Sequence, residues 1–386
     1  MNNKIIATGL IIATATIIGL YPDQQTPAHA TTLIKHIDKP KIQIAILLDT
    51  STSMNGLINQ TRNQLWQIVN EFSTAKRNGV TPLLEVAVYE YGNNSLSPEK
   101  GFVRQVTALT SELDQVSEAL FALHTNGGDE YCGYAINTAI SELNWSHSDS
   151  DIKTIFIAGN EPFSQGPMSY KTAIHKARSL GITVNTIHAG DRHAGIEGEW
   201  QQGAQLAGGD FMSINHNHRV AHITTPHDKK LSELNQKLNK TYVPYGKDGQ
   251  AKMQRQSKQD IESESISSAL MAKRTKSKAS SMYNNASWDL VDAVSEGDVN
   301  IQDLPAAKLP AILKNMDNDQ KTAYVQKKTA ERKALKEEIK HLSEKRDEFV
   351  NLKKNELGAP TVNTVNDAMS SSVRKLGINK NYEFKK

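Results

Sequence analysis

The hydrophobic pattern opens with Ile42-Gln43-Ile44-Ala45-Ile46-Leu47-Leu48, a near-continuous apolar run ending at Asp49. A run without polar alternation suits a strand buried on both faces, as in a parallel sheet. A loop, Thr50 to Asn55, leads into Leu57, Leu65, Ile68, Val69 and Phe72, whose spacing predicts an amphipathic helix. Gly79 and Pro82 punctuate its end. Residues 83–91 and 102–109 read as strands, the second at an edge. Leu113, Val116, Leu120 and Leu123 predict a short helix, and a loop at 125–130 feeds another over 132–143. The alternation repeats, with strands at 152–158, 182–187 and 211–214 and helices at 170–180 and 199–207. Over residues 38–225 this predicts an α/β fold with a doubly wound, mostly parallel sheet. Ligand sites in such sheets lie at the carboxyl ends of the strands, here Asp49, Ala158-Gly159 and Ala189-Gly190.

The pattern then changes to a helical C-terminal extension. Residues 226–315 are rich in Lys, Gln, Ser and Asn, and read as a polar linker with short helical elements. Tyr242-Val243-Pro244-Tyr245-Gly246 and Ser287-Trp288-Asp289-Leu290 are apolar islands within it, expected to anchor it on the α/β domain. A long charged helix is predicted over 316–357, with Leu335, Ile339, Leu342 and Phe349 on one stripe. Their spacing is heptad-like, but Arg332 and Arg346 fall at the coiled-coil a-type positions. A helix packed on its own domain is the expectation, a coiled coil the alternative. Residues 358–386 read as a flexible tail.

The first thirty residues carry a different signal. Lys4 precedes an uncharged apolar stretch over 5–20, and Ala28-His29-Ala30 forms a small-residue cleavage site. A signal peptide cleaved after Ala30 is expected, placing the protein in the periplasm or outside the cell. The alternative is an uncleaved inner-membrane anchor, for which sixteen apolar residues are short. Once the signal is removed, no stable membrane insertion is expected.

Composition narrows the function. The 386 residues carry 45 Lys+Arg against 42 Asp+Glu, a net charge of +3, too small a footprint for a dedicated nucleic-acid binder. Aromatic residues are only 6%, so a packed core is expected in part of the chain and a solvated remainder elsewhere. Cys132 is the single cysteine, which excludes a disulfide framework and points to a buried inert thiol.

The candidate chemistry lies in Asp49-Thr50-Ser51-Thr52-Ser53. A carboxylate and two hydroxyls at alternate positions after a buried strand are hard oxygen donors suited to Mg²⁺ or Mn²⁺. The same residues suit a helix N-cap, and the pentapeptide alone leaves both readings open. Asp-x-Ser-x-Ser after a first apolar strand resembles the metal-ion-dependent adhesion site of von Willebrand factor A domains. That resemblance covers 38–225, about half the chain, and implies a cation (Mg²⁺, or Mn²⁺ or Ca²⁺) with one coordination position open to a partner's carboxylate. The family's second loop resembles Asn126-Gly127-Gly128-Asp129-Glu130, with Glu130 at the position of the family's Thr. Its third loop usually reads Thr-Asp-Gly, where this chain has Ala158-Gly159-Asn160-Glu161, so Gly159 stands at the usual Asp. Asp49 and Glu130 keep the number of carboxylates at two. The resemblance therefore implies Asp49, Ser51, Ser53 and Glu130 as ligands, with Asp129 and Glu161 in reserve, and a protein partner presenting an acidic residue.

Other readings compete. An aspartyl-phosphate phosphatase needs Asp-x-Asp, but Ser51 stands at the second position, and no nucleophile elbow, zinc-protease, Walker or dinucleotide motif is present. A metal-dependent hydrolase is therefore the least favoured alternative. A scaffold role for the long helix, with a degenerate metal site, is the other. His216, His218, His222 and His227 suit a second metal site or a polar linker. The basic run Lys273-Arg274-Thr275-Lys276-Ser277-Lys278 suits a polyanion contact or an exposed linker face.

Overall fold

The computed structural model describes residues 39–214, 223–356 and 365–384. The first apolar run is the central strand β1 (Lys41–Asp49), flanked in sequence by α1 (Asn55–Phe72) and the short β2 (Ala75–Arg77). Then follow β3 (Leu83–Tyr91), β4 (Val103–Thr110), α2 (Leu113–Phe121) and α3 (Cys132–Glu142). The second half of the unit is β5 (Ile152–Gly159), α4 (Tyr170–Ser179), β6 (Thr183–Ala189), α5 (Arg192–Glu197), α6 (Trp200–Leu206) and β7 (Phe211–Ile214). The six-stranded sheet has the order β4-β3-β1-β5-β6-β7, parallel except for the edge strand β4. This is the mostly parallel, doubly wound arrangement that the alternation predicts.

Register decides what meets at the sheet's carboxyl end. Asp49 pairs with Tyr91, Leu48 with Ala158, and Gly159 with His188. Strand residues alternate between two cores. Ala45, Leu47, Ala87, Tyr89, Ile155 and Val184 face α3, α4 and α6. Ile42, Ile44, Ile46, Val86, Val88 and Phe156 face the other side, which α1 and α2 cover only in part.

The rest of that second face is covered from the far end of the chain. Helix α7 (Asp228–Asn239), α8 (Gly249–Ile266), α9 (Ser268–Ala279), α10 (Leu290–Glu296) and the 39-residue α11 (Asn318–Glu356) follow β7. Then α12 (Val365–Asn379) returns to pack against α1, β5 and β7, with Met369 and Val373 buried in the sheet's core. Strand β8 (Tyr382–Phe384) pairs antiparallel with β2, and the Tyr382 hydroxyl donates to the carbonyl of Lys41 at 3.0 Å. The reading of 358–386 as a flexible tail therefore needs correction for its described part. Residues 369, 373 and 382 are apolar anchors spaced too sparsely to stand out in a polar stretch.

The linker reading of 226–315 is corrected in the same way. Helices α7, α8 and α9 are 12 to 18 residues long and packed on α1, α2 and one another. The basic run over 273–278 is neither a polyanion face nor an exposed linker, because Arg274, Thr275, Ser277 and Lys278 are fully buried in α9. Helix α11 packs on α7, α9 and α10. Its two arginines at a-type positions replace coiled-coil knobs with ion pairs. Arg332 meets Asp289 at 2.5 Å and Asp292 at 2.6 Å, and Arg346 meets Asp228 at 2.8 Å. The apolar islands are anchored by buried residues, Tyr242, Val243, Trp288 and Leu290, and the Tyr242 and Trp288 rings lie 5.7 Å apart, tilted by 30°, in the same core as the sheet. Among the described residues, no helix is long and apolar enough to cross a membrane. The signal segment lies outside the described residues.

Candidate metal centre

Four loops meet at the carboxyl end of the sheet. Asp49 closes β1 and is fully buried. Its Oδ1 accepts from the backbone N–H of Ser51 at 2.7 Å, which turns the chain and aims the following hydroxyls back toward the carboxylate. Ser51 Oγ and Ser53 Oγ are 3.3 Å apart. The second loop is tied to the first by the Asn126 N–H, which donates to the carbonyl of Thr50 at 2.9 Å. It presents Glu130, also buried, whose Oε2 accepts from the N–H of Glu161 in the third loop at 3.4 Å. Glu130's own N–H donates to Gln165 at 3.0 Å, and Ser53 Oγ reaches Asn160 at 3.4 Å.

The two carboxylates lie side by side. A methyl group at Gly92 would lie 2.8 Å from both Asp49 Oδ1 and Glu130 Cγ, so only glycine fits there, and its φ of +75° asks for glycine as well. Asp49 Oδ2 is buried with no hydrogen-bond partner. Burial pushes the Asp49 carboxyl well above its ordinary range, and the adjacent Glu130 adds to the shift. Burial likewise raises Glu130. Two buried carboxylates and an orphaned oxygen beside two hydroxyls are a donor set for a hard divalent cation. Among the described residues no group of three His, Cys, Asp or Glu gathers for a metal, so a cation held here would need the Ser51 and Ser53 hydroxyls besides the two carboxylates.

Residues 43–196 match the family model of the von Willebrand factor type A domain. The fold found above is of that Rossmann-like kind. No curated protein matches the chain. Among solved structures, proximal thread matrix protein 1 from the mussel byssus is 15% identical, with a TM-score of 0.34 over 45% of this chain and 41% of that one. An aerotolerance-related membrane protein from Bacteroides fragilis NCTC 9343, carrying multiple mutations to serines, is 16% identical, with a TM-score of 0.33 over 46% of this chain and 93% of that one. The SpRpn10 VWA domain is 16% identical, with a TM-score of 0.33 over 45% and 88%. This chain thus spans less than half of the byssus protein's length.

Within the matched segment, Asp49, Ser51 and Glu130 are buried side by side and Ser53 lies beside Ser51 at the surface. Asp129 and Glu161 stay on the exposed rim. Asp129 accepts from the Tyr131 hydroxyl at 3.3 Å, and Glu161 contributes backbone, accepting at its carbonyl from Trp200 Nε1 at 2.8 Å. Of the four histidines, 216, 218 and 222 lie outside the described residues. His227 stands at the start of α7 with its ring edge-on to Phe349 at 6.5 Å.

The structure also explains Gly159. A methyl there would come 2.4 Å from the Tyr91 hydroxyl, which donates to the carbonyl of Ala158 at 2.9 Å. Cys132 is buried beneath, its thiol 3.7 Å from the same hydroxyl and its pKa raised by burial, so the inert reading of that thiol fits. The Tyr91 hydroxyl thus fills the space that a side chain at 159 would need. Sequence reasoning passes over Tyr91, Gly92 and Gln165, because only the β1–β3 register and the loop closure reveal them. Gly159→Ala is expected to cost about 1–3 kcal/mol through overpacking. The Tyr91→Phe background, which removes the clashing oxygen, should recover part of that in urea unfolding. A Gly159→Ala variant as stable as the parent would contradict this account.

Proposed function

We propose that the segment binds one divalent cation, Mg²⁺ or alternatively Mn²⁺ or Ca²⁺, and through it a carboxylate of a protein partner. Asp49, Ser51, Ser53 and Glu130 would hold the ion. The observation that carries the reading is the orphaned, buried Oδ2 of Asp49 beside the Glu130 carboxylate. Two adjacent buried anions are costly unless a cation or a proton joins them. The matched family supports binding over chemistry, since its domains commonly mediate protein–protein interaction. The N-terminal signal pattern supports an exported chain that acts in the periplasm or outside the cell.

The decisive experiment is partner capture from envelope extracts with Mg²⁺ or with EDTA, using Asp49→Ala as the control. Capture should require the cation and fail with the variant. Equal capture in all three arms would refute the proposal. A titration of the isolated chain separates metal binding from partner binding. At about one hundred times its Kd, Mg²⁺ should add roughly 2.7 kcal/mol of stability.

The raised carboxyls give this stabilisation a pH dependence. Folding lifts both groups above 3.8 and 4.5, so above those values the metal-free folded chain holds more protons than the unfolded chain. Its stability therefore falls as pH rises through the folded pKa values. The cation binds the deprotonated pair and competes with those protons. The Mg²⁺-induced rise in Tm should be larger near pH 8 than near pH 5. Equal rises at the two pH values would count against a site made of these carboxyls.

A further inference from the structure

We propose that the cation site selects a carboxylate flanked by lysine or arginine, and rejects one set in an acidic surface. This rests on the cation reading above. The four segments that line the mouth, residues 49–54, 92–96, 125–131 and 159–166, contain Asp49, Asp129, Glu130 and Glu161 and no lysine or arginine, and the remainder of the β3–β4 loop adds one of each sign, Glu99 and Lys100. They form one rim. The Asn94 N–H donates to the carbonyl of Gly127 at 2.8 Å, and the Glu161 N–H to Glu130 at 3.4 Å.

Charge accounting then separates the inner pair from the outer pair. A divalent cation is neutralised by the buried Asp49 and Glu130. Asp129 and Glu161 remain, both exposed, and neither forms an ion pair among the described residues. The other exposed side chains of these segments are uncharged, and all but Pro162 are polar. The orphaned Asp49 Oδ2 marks where the ion belongs, so the rim acids surround a ligand position rather than form a bare acidic patch. An approaching carboxylate meets two uncompensated negative charges. Like-charge juxtaposition penalises it unless its neighbours are cationic. A partner that sets Asp or Glu beside Lys or Arg satisfies the ion and the rim together, and is steered toward the site.

The test uses the full chain and three fluorescent peptides of about nine residues. Each has a central Asp in a Gly/Ser frame, flanked on both sides by Lys, by Ser or by Glu; a fourth, Lys-flanked with a central Asn, is the control. Anisotropy is measured in Mg²⁺ at low salt, with and without EDTA. The Lys-flanked peptide should bind about tenfold more tightly than the Glu-flanked one. In Asp129→Asn/Glu161→Gln the gap should shrink to about twofold while EDTA sensitivity persists. Equal affinities in the parent chain, or a gap that survives in the double variant, would overturn the proposal. A Lys-flanked peptide with central Asn that binds as tightly would do the same, since the rim would then act without the ion. Lack of EDTA-sensitive binding to any peptide would overturn the cation reading itself, and this selection with it.

Discussion

A chain ending at residue 364 is expected to lose most of its cooperative stability. The deletion removes α12 and β8, and with them Met369, Val373 and Tyr382, all buried in the core beneath α1. Each fully buried side chain of this kind contributes about 1.5–3 kcal/mol. Leu376 and Phe384 pack against the same core, and Arg374 pairs with Glu71 on α1. The loss is thus about 5 kcal/mol or more, comparable to the whole stability of a typical domain. The strand face formed by Ile152 and Phe156 would be left open to water. Thermal unfolding followed by circular dichroism checks this. A truncated chain that melts within about 2 °C of the full one would show that α12 is dispensable.

Arg274→Ala is expected to cost about 3–5 kcal/mol, the range for removing one partner of a buried ion pair. Arg274 is fully buried, yet its guanidinium donates to Asp260 at 2.6 Å, to Asp114 at 2.7 Å and to the carbonyl of Gln256 at 3.0 Å. It also lies over the Trp66 ring at 4.5 Å. Among the described residues, truncation leaves Asp114 with the Tyr283 hydroxyl, and Asp260 leaning on Lys278 and the amides of Asn235 and Asn239. Lysine is no substitute, since one ammonium cannot span both carboxylates in the same plane. Lys276→Ala, two residues away, serves as the comparison. Its partner Asp347 is exposed and the pair is worth at most about 1 kcal/mol. Urea unfolding of the two variants should differ severalfold in ΔΔG. Equal, small losses would mean that the buried network holds nothing together.

That network also explains what could be read from the sequence. The strands were legible because β1, β3 and β5 are apolar on both faces, and the Asp49 pentapeptide because its donors are contiguous. The helices over 228–279 were not. Their buried positions include Gln256, Gln259, Asp260, Ser263, Arg274, Thr275, Ser277 and Lys278. Hydropathy marks such residues as solvent-facing, so a polar core gives the same pattern as a linker. At the site, Glu130 could be placed from its loop. The cause of Gly159 could not, because it depends on a tyrosine two strands over, on the far side of β1. The closing role of α12 is invisible for a different reason. Its partners, α1 and β5, lie hundreds of residues upstream, and no local period encodes them.

The return of α12 and β8 also fixes the order in which this molecule can mature. The Tyr382 hydroxyl meets Lys41 across 341 positions of sequence, and Arg374 meets Glu71 across 303. Contacts of such contact order form late and slow the search for the native state. On a ribosome the chain emerges from its N-terminal end. The β1–β7 sheet is delivered before α12, so the part of its second face that α12 covers, at β5 and β7, stays apolar and open until residues 365–384 arrive. Vectorial synthesis therefore makes residues 365–384 the gate for completing a sheet whose first strand begins at Lys41.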